Sequence, residues 1–188
     1  MSIMSDNWII ESAQKFRMIE PFAQTQIRQN VISFGVSSYG YDFRLADEFR
    51  LPEKAAGDLI IDPKKTASLT YRDFKSGHFD LPAKEFVIAR SLEYFRIPRD
   101  ILAISSGKST YSRCGLVVNI SPLEPEWEGH LTFSIFNFAS LPIRIYANEG
   151  IAQLIFLKAD NVCQISYKDK QGKYQGQSGI SLSRVDDC

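Results

Sequence analysis

Two cations and several hydroxyl groups lie close together in residues 107–115, which read GKSTYSRCG. Lys108 and Arg113 bracket Ser109 and Thr110 in this segment. The planar arginine fork suits phosphate or carboxyl oxygens, lysine adds a compact positive charge, and hydroxyls can donate to the same oxygens or hold a water. Solvated loops with scattered charges have a similar composition. The segment is therefore a candidate phosphate site that needs support from elsewhere in the chain.

The string Gly107-Lys108-Ser109 is also how a nucleotide-binding P-loop ends. The full P-loop pattern requires a second glycine five residues before Gly107, in a turn between a strand and a helix. That position is Leu102, inside the apolar run 101–104. The residues after Lys108 are poor at opening a helix. Spacing and context therefore exclude a P-loop.

The metal-binding residue types have the wrong spacing for a zinc-dependent deaminase. Such a site needs a His/Cys/Cys ligand set with a nearby glutamate, and neither His78 nor His130 lies in a His-x-Glu or Cys-x-x-Cys frame. We expect no zinc and no metal ligands from protein side chains. Cys114, Cys163 and Cys188 are odd in number and widely spaced, which excludes a disulfide framework. We expect Cys114 to be a buried, unreactive thiol.

A mainly β chain must position these residues. From Val31 onward, short runs of Val, Ile, Phe and Tyr alternate with Gly, Pro, Asp and Ser, which is typical of an antiparallel sandwich or barrel. Helical character is confined to the first twenty residues, where about three turns follow a Ser5-Asp6 cap, and to 91–95. The expected strands are 31–36, 41–45, 59–61, 86–90, 101–104, 116–120, 131–137, 143–146, 151–157 and 162–167.

The C-terminal residues differ in composition from the rest of the chain. Residues 167–179 carry Lys, Gln and Gly with two tyrosines and almost no aliphatic side chains. A segment of this kind does not bury itself. The composition fits either a disordered tail or a flap that becomes ordered over a polyanionic ligand.

Length and charge indicate one reduced, cytoplasmic domain. The chain has 188 residues, of which 44% are hydrophobic and 23% charged, as in ordinary globular domains. Its net charge of zero gives no general attraction to nucleic acid or to a membrane, so any affinity for phosphate must be local. The N-terminus lacks a signal-peptide pattern, and no apolar run approaches the ~18 residues of a membrane span.

Motifs along nearly the whole chain resemble those of the dCTP deaminases of the dUTPase superfamily. The matching segments are 37–44 (SSYGYDFR), 89–98 (ARSLEYFRIP), 107–115 (GKSTYSRCG), 124–130 (EPEWEGH), 141–150 (LPIRIYANEG) and 166–179 (SYKDKQGKYQGQSG). The resemblance implies a single domain, a dUTPase-like distorted β-barrel or jelly-roll with an N-terminal helix in 1–20 and a flexible C-terminal flap in 167–188. It also implies a homotrimer whose active sites lie between subunits.

The resemblance further implies hydrolytic deamination of dCTP to dUTP and ammonia, without a metal at the base and with Mg²⁺ accompanying the triphosphate. The implied ligands are nucleotides of the dCTP, dUTP or dTTP type. The implied catalytic residues are Ser109, Arg113 and the residue at position 134. The implied nucleotide contacts are Lys108, Ser109, Thr110, Tyr111, Ser112, Arg113, Thr132, Phe133, Ser134, Gln153, Tyr167, Lys173 and Gln177.

Position 134 departs from the family pattern. The family reads Gly-His-Val-Thr-Leu-Glu-x-x-Asn where residues 129–137 of this chain read GHLTFSIFN, so Ser134 stands in place of a glutamate. That glutamate is expected to move protons between water and the cytosine ring, for which a serine hydroxyl is too weak a base. Three functions remain open. They are a dCTP deaminase that is impaired or uses a modified dCTP, a nucleotide-binding relative without deaminase activity, and, from the acidic loop 124–129, a dUTP pyrophosphatase.

Overall fold

A computed structural model describes residues 1–53, 61–64 and 70–184. Helix α1 spans Asp6–Phe16, with Ser5 extended at the N-cap position and Arg17 left-handed at the C-cap (φ 53°). The Ser5 side chain makes no capping hydrogen bond, whereas Asp6 places a negative charge in the first turn, where the helix dipole favours it. Ile9 and Ala13 bury the inner face of the helix. The expected N-terminal helix of about three turns is present.

Strands are the predominant regular structure among the described residues. They are β1 Ser2–Ile3, β2 Ile19–Glu20, β3 Gly35–Ser37, β4 Gly40–Glu53, β5 Thr70–Lys75, β6 His78–Leu81, β7 Phe86–Arg96, β8 Ile101–Gly107, β9 Leu116–Asn119, β10 Glu128–Asn137, β11 Ile143–Tyr146 and β12 Gly150–Lys158. One further helical turn, α2, spans Ser109–Ser112. The expectation of a mainly β fold with a short N-terminal helix is confirmed.

The long strand β4 joins two parts of one antiparallel sheet. Its first half pairs with β12, and its second half pairs with β5 and β7. The hydrogen-bonded order is β1-β12-β4-β7-β10-β9, with β2, β3, β5 and β8 attached to the side of this path. Strands β6 and β11 form a separate two-stranded sheet. The sheet therefore carries β8 and β9, on either side of residues 108–115, at its margins.

Aromatic side chains from neighbouring strands fill the core. Phe43 on β4 meets Phe95 on β7 and Phe133 on β10 edge-to-face, with ring centroids 6.0 and 5.7 Å apart. Burial along β7 and β10 alternates residue by residue, as expected for strands with one face in the core. The inward position of Phe133 leaves Thr132 and Ser134 on the opposite face of β10.

The expectation of helical structure in 91–95 is wrong, because these residues continue strand β7. Two polar residues, Ser91 and Glu93, occupy inward positions. The sequence therefore does not show the alternation of apolar and polar residues that is typical of a strand. Arg44 satisfies Glu93 with a 2.7 Å ion pair and a 2.9 Å backbone hydrogen bond. Burial raises the pKa of the Glu93 carboxyl, and the Arg44 guanidinium opposes that shift.

Other strand boundaries predicted from the sequence also differ from those in the structure. Residues 162–167 are irregular rather than a strand, and only the last two residues of 31–36 lie in a strand. The expected strand 59–61 falls mostly outside the described residues. Strands β5 and β6 were not predicted. Within the described part of the chain, no helix has both the length and the apolar character needed to cross a membrane.

Candidate functional site

A cavity of about 440 Å³ lies between β10, the loop before it and the C-terminal tail. Its walls include aromatic rings, hydroxyls, one lysine and one carboxylate. The lining residues are Ile120, Ser121, Pro122, Leu123, Glu124, Trp127, Leu131, Thr132, Tyr167, Lys173, Tyr174, Gln177, Ser181, Leu182 and Ser183. Flat apolar surfaces beside a few polar groups are typical of a small-molecule site.

The tail forms one wall of this cavity because its backbone bonds to β10. The Gly176 N–H donates to Glu128 O at 2.9 Å, and the His130 N–H donates to Gln177 O at 2.8 Å. The Trp127 indole N–H donates to Tyr174 O at 2.8 Å. Residues 167–184 therefore lie against β10 in a defined conformation, while 185–188 fall outside the described residues. The mobility of this segment stays a prediction.

Glycine is required where the tail meets β10. Gly129 has φ 146°, and a Cβ there would lie 2.8 Å from the backbone nitrogen of Gln177. Any larger residue would push the tail off the strand. The glycine that closes the 124–129 loop is thus needed for the tail to dock.

Charged contacts hold the beginning of the tail. Arg99 donates to Asp169 Oδ2 at 2.6 Å and to Gln164 O at 3.2 Å, and it also binds Glu126. The Arg99 hydrogen bond lowers the pKa of the Asp169 carboxyl to about 2, so this contact stays ionic across the physiological range. Lys170 pairs with Glu124 on the opposite wall of the cavity.

Residues 108–113 form a second group at the end of β8. Lys108 precedes α2, and the Arg113 guanidinium donates to Ser109 O at 3.1 Å on the exposed side of the turn. Tyr111 is buried, and its hydroxyl accepts the Tyr146 N–H at 2.9 Å. Burial raises the pKa of Tyr111 to about 12, so it remains neutral. Tyr111 therefore anchors the turn.

Ser134 lies half-buried on the outward face of β10. Its cross-strand partners are Ile88 on β7 and Asn119 on β9. The Ile88 side chain is an alkyl group and the Asn119 side chain is an amide. Neither can take a proton from water at neutral pH. The residues paired with Ser134 therefore supply no substitute for a glutamate at this position.

The structure brings some of the predicted contact residues together. Thr132, Tyr167, Lys173 and Gln177 all line the cavity, and the Thr132 hydroxyl donates to Gln177 Oε1 at 2.8 Å. Among the described residues that line it, none comes from 108–113, and Gln153 is also elsewhere. Phe133 points into the core. The predicted residues thus form two groups, one around the cavity and one around Lys108.

Several residues of the site were not predicted as contacts, and three of them bear on its chemistry. Trp127 and Glu124 line the cavity, and Asp42 pairs with Lys108. The first two lie in a loop whose sequence showed a shaped turn without showing that it faces the tail. Asp42 lies 66 positions from Lys108, a separation that only the strand pairing explains. The expectation of a buried Cys114 thiol is wrong, because the turn leaves Cys114 exposed.

The two histidines have different surroundings. His130 is half-buried, with Nδ1 3.0 Å from Glu93 O, and it meets Tyr94 edge-to-face. Burial and the nearby Arg90 guanidinium lower the pKa of His130. His78 lies on β6, paired with Tyr146. In the ranges that the structure describes, no three His, Cys, Asp or Glu side chains converge as metal ligands would.

The fold defines the class to which the protein belongs. A mainly β chain with this topology aligns with the solved 2'-deoxycytidine 5'-triphosphate deaminase from Agrobacterium tumefaciens, with a TM-score of 0.60 over 82% of the present chain. The two sequences are 17% identical there, so this comparison shows the fold alone. The present chain covers 47% of that longer protein.

Sequence comparison then identifies the family. Residues 3–159 match the dCTP deaminase-like family, and the chain belongs to it. It is 54% identical to proteins named dCTP deaminase from Ectopseudomonas mendocina and Pseudomonas fluorescens. In each case the alignment covers 98% of this chain and the whole of the relative. These full-length matches include the tail, which lies beyond the family match.

Proposed function

We propose that this protein binds a pyrimidine deoxynucleoside triphosphate in the cavity and hydrolyses the amino group of dCTP, or of a modified dCTP, to give the uracil nucleotide and ammonia. The observation that carries the proposal is the convergence of Thr132, Tyr167, Lys173 and Gln177 on one cavity. These residues come from distant parts of a chain that is similar from end to end to proteins named dCTP deaminase. We also propose that it works in the cytoplasm and binds neither nucleic acid nor membranes.

The cavity suits the parts of such a nucleotide. The rings of Trp127 and Tyr174 offer flat surfaces for a base or a sugar, and the amide of Gln177 and the hydroxyl of Thr132 offer directional hydrogen bonds. Lys173 supplies a positive charge for a phosphate. Mg²⁺ travels with the triphosphate, since this ion is usually held by phosphate oxygens, waters and few protein ligands.

The reaction requires proton transfer as well as binding. Water adds to C4 of the cytosine, one of its protons moves to the ring nitrogen and the other to the amino group, and the C4–N bond breaks to release ammonia. In this proposal Ser109 and Arg113 position the water and stabilise charge near the base. A positioned general base is worth about 10²–10⁴-fold in rate. Ser134 cannot act as that base, so turnover of dCTP is slow.

The complete site lies between two copies of the chain in this proposal. The cavity holds one group of predicted residues, and the segment 108–113 lies outside its lining. A homotrimer places Lys108 and Arg113 of one subunit against the cavity of the next. Closed cyclic assemblies with sites at their interfaces are common among soluble oligomers.

Ser134 also favours a second candidate, a protein that binds the nucleotide without converting it. Neither cross-strand partner of Ser134 replaces the missing base. Such a protein would sense or sequester deoxynucleotides. It shares the cavity with the first candidate and differs only in the absence of turnover.

A product-resolved assay separates the candidates. Purified protein is incubated with dCTP and Mg²⁺, and ammonia, dUTP and pyrophosphate are measured separately. Slow release of ammonia and dUTP in equal amounts supports the deaminase. Binding of dCTP without either product supports the second candidate, and release of pyrophosphate from dCTP or dUTP identifies a pyrophosphatase. A chain that neither binds nor converts these nucleotides contradicts the proposed function.

A further inference from the structure

Asp42 is a buried carboxylate that the reaction outlined above does not use. It lies on β4 with 2% of its surface exposed. Its Oδ2 accepts hydrogen bonds from the Lys108 ammonium and, at 2.7 Å, from the Gln26 amide. Its Oδ1 accepts from Gln153 Nε2 at 3.3 Å. Both oxygens are therefore bound by side chains from other parts of the chain.

The neighbouring strands keep Gln153 on this carboxylate. Gln153 on β12 is the cross-strand partner of Asp42, and the Gln153 amide also donates to Ser37 Oγ at 2.8 Å. Gly40 makes room for this arrangement, because a Cβ there would lie 3.0 Å from the Gln153 side chain and 2.6 Å from Leu154 O. The Gln153 amide nitrogen is thus committed to contacts within the protein.

The ion pair with Asp42 fixes the side chain of Lys108, and lysine side chains are otherwise flexible. A lysine side chain has many rotamers, and a loosely held lysine loses this freedom when it binds a phosphate. Lys108 has already lost this freedom, since its side chain is 11% exposed and ends on Asp42. An ammonium has three donors, so the bond to Asp42 leaves two for a ligand.

We infer that Asp42 is a positioning residue for the polyphosphate: it holds the Lys108 ammonium at the head of the 108–113 turn, and Gln153 acts through Asp42 instead of touching the nucleotide. This inference rests on the proposed function for its ligand. The family resemblance implied that Gln153 contacts the nucleotide directly. In this inference Gln153 instead holds Asp42, which positions Lys108. The Lys108 ammonium is then held in place by Asp42, whose carboxylate is in turn held by Gln26 and Gln153.

The test is a double-mutant cycle on dCTP binding. Calorimetry with Mg²⁺ measures the dissociation constant for the wild type, Asp42→Asn, Lys108→Met and the double variant. A positioning role predicts about tenfold weaker binding for Asp42→Asn, and no further loss when Asp42→Asn is added to Lys108→Met. Asp80→Asn removes an exposed carboxylate paired with Arg144 and serves as the matched control with unchanged affinity.

A second variant keeps the test decisive if Asp42→Asn folds poorly. Gln153→Leu removes one bond to the carboxylate and leaves Lys108 in place, so binding weakens only in chains that retain Lys108. A loss that persists in the Lys108→Met background means that Gln153 touches the nucleotide and overturns the inference. Unchanged affinity in Asp42→Asn, with tight binding by the wild type, also overturns it. A wild type that binds no dCTP overturns the proposed function itself.

Discussion

At the scale of single residues, the proposed binding site departs from the family pattern at one reacting group. Thr132, Lys173 and Gln177, which the family resemblance implied as nucleotide contacts, lie together at the cavity. Ser134 provides a hydroxyl where the family pattern has a carboxylate. Binding and chemistry depend on different residues in this arrangement. Changes at one position should therefore alter turnover and leave affinity nearly intact.

Ser134→Glu should create or raise deamination of dCTP. The added carboxylate restores a proton acceptor, and the expected gain in kcat is about 10²–10⁴-fold with the dissociation constant for dCTP changed only slightly. Ammonia release measures kcat. Ser134→Gln has a side chain of similar size without a basic group, and it should show no gain. Equal rates in the two variants would mean that deamination by the wild type is not limited by the lack of a general base at position 134.

Ser134 should also affect the choice of base. The smaller side chain removes a negative charge and leaves space, which we expect to admit a cytosine with a substituent at position 5. Calorimetric titration with dCTP and 5-methyl-dCTP measures the preference. The wild type should bind the methylated nucleotide more tightly than dCTP, and Ser134→Glu should reverse that order. Equal weakness toward both nucleotides would exclude this explanation.

At the scale of elements, strand β10 and the tail work as one unit. Backbone bonds join Glu128 and His130 to the tail, and Arg99 ties the start of the tail to the 124–129 loop. The composition of the tail, poor in aliphatic side chains, suggested a segment unable to bury itself. Its order comes instead from hydrogen bonds and ion pairs, which a composition argument does not detect.

Removing the Arg99 side chain should loosen the tail. Arg99→Ala takes away the contacts to Asp169, Glu126 and Gln164. Hydrogen exchange should then accelerate in residues 167–177, and dCTP should bind about tenfold more weakly. Arg144→Ala, which breaks an exposed pair with Asp80, is the control. Similar exchange in the two variants would show that Arg99 does not anchor the tail.

His130 predicts a dependence of stability on pH. Because its pKa in the folded protein is lowered below the ordinary 6.5, the unfolded chain binds a proton more readily. This contribution to stability is fully present above about pH 6.5 and is lost as pH falls through the folded pKa. Urea unfolding at pH 7.5 and 5.5 should show a smaller decrease for His130→Gln than for the wild type. A His130→Gln variant whose stability changes with pH as much as that of the wild type would refute the assignment.

At the scale of the whole molecule, the sequence predicted the fold more completely than the site. Short runs of Val, Ile, Phe and Tyr between turn residues predicted most strands. Glu93 and Ser91 concealed the end of β7, since polar inward residues have partners that sequence alone cannot supply. The pairing of Asp42 with Lys108 depends on strand order. In the proposed trimer, the position of 108–113 relative to the cavity depends on a second copy of the chain.

The trimer proposal predicts complementation between two defective variants. Arg113→Ala and Gln177→Ala should each bind dCTP weakly, because each damages one half of the shared site. Co-refolded mixtures should regain about a quarter of the tight sites, since random assembly unites two intact halves at that frequency. Calorimetric stoichiometry counts the sites. A mixture that regains none would place both halves within one chain.

The central claim is that the cavity between β10 and the tail holds a pyrimidine deoxynucleoside triphosphate. Hydrogen exchange of the full chain with and without dCTP and Mg²⁺ tests it most directly. We predict slower exchange in residues 120–124, 173–177 and 108–113 when the nucleotide is present. Exchange unchanged in these segments at saturating dCTP, or protection confined to another surface, would contradict the claim.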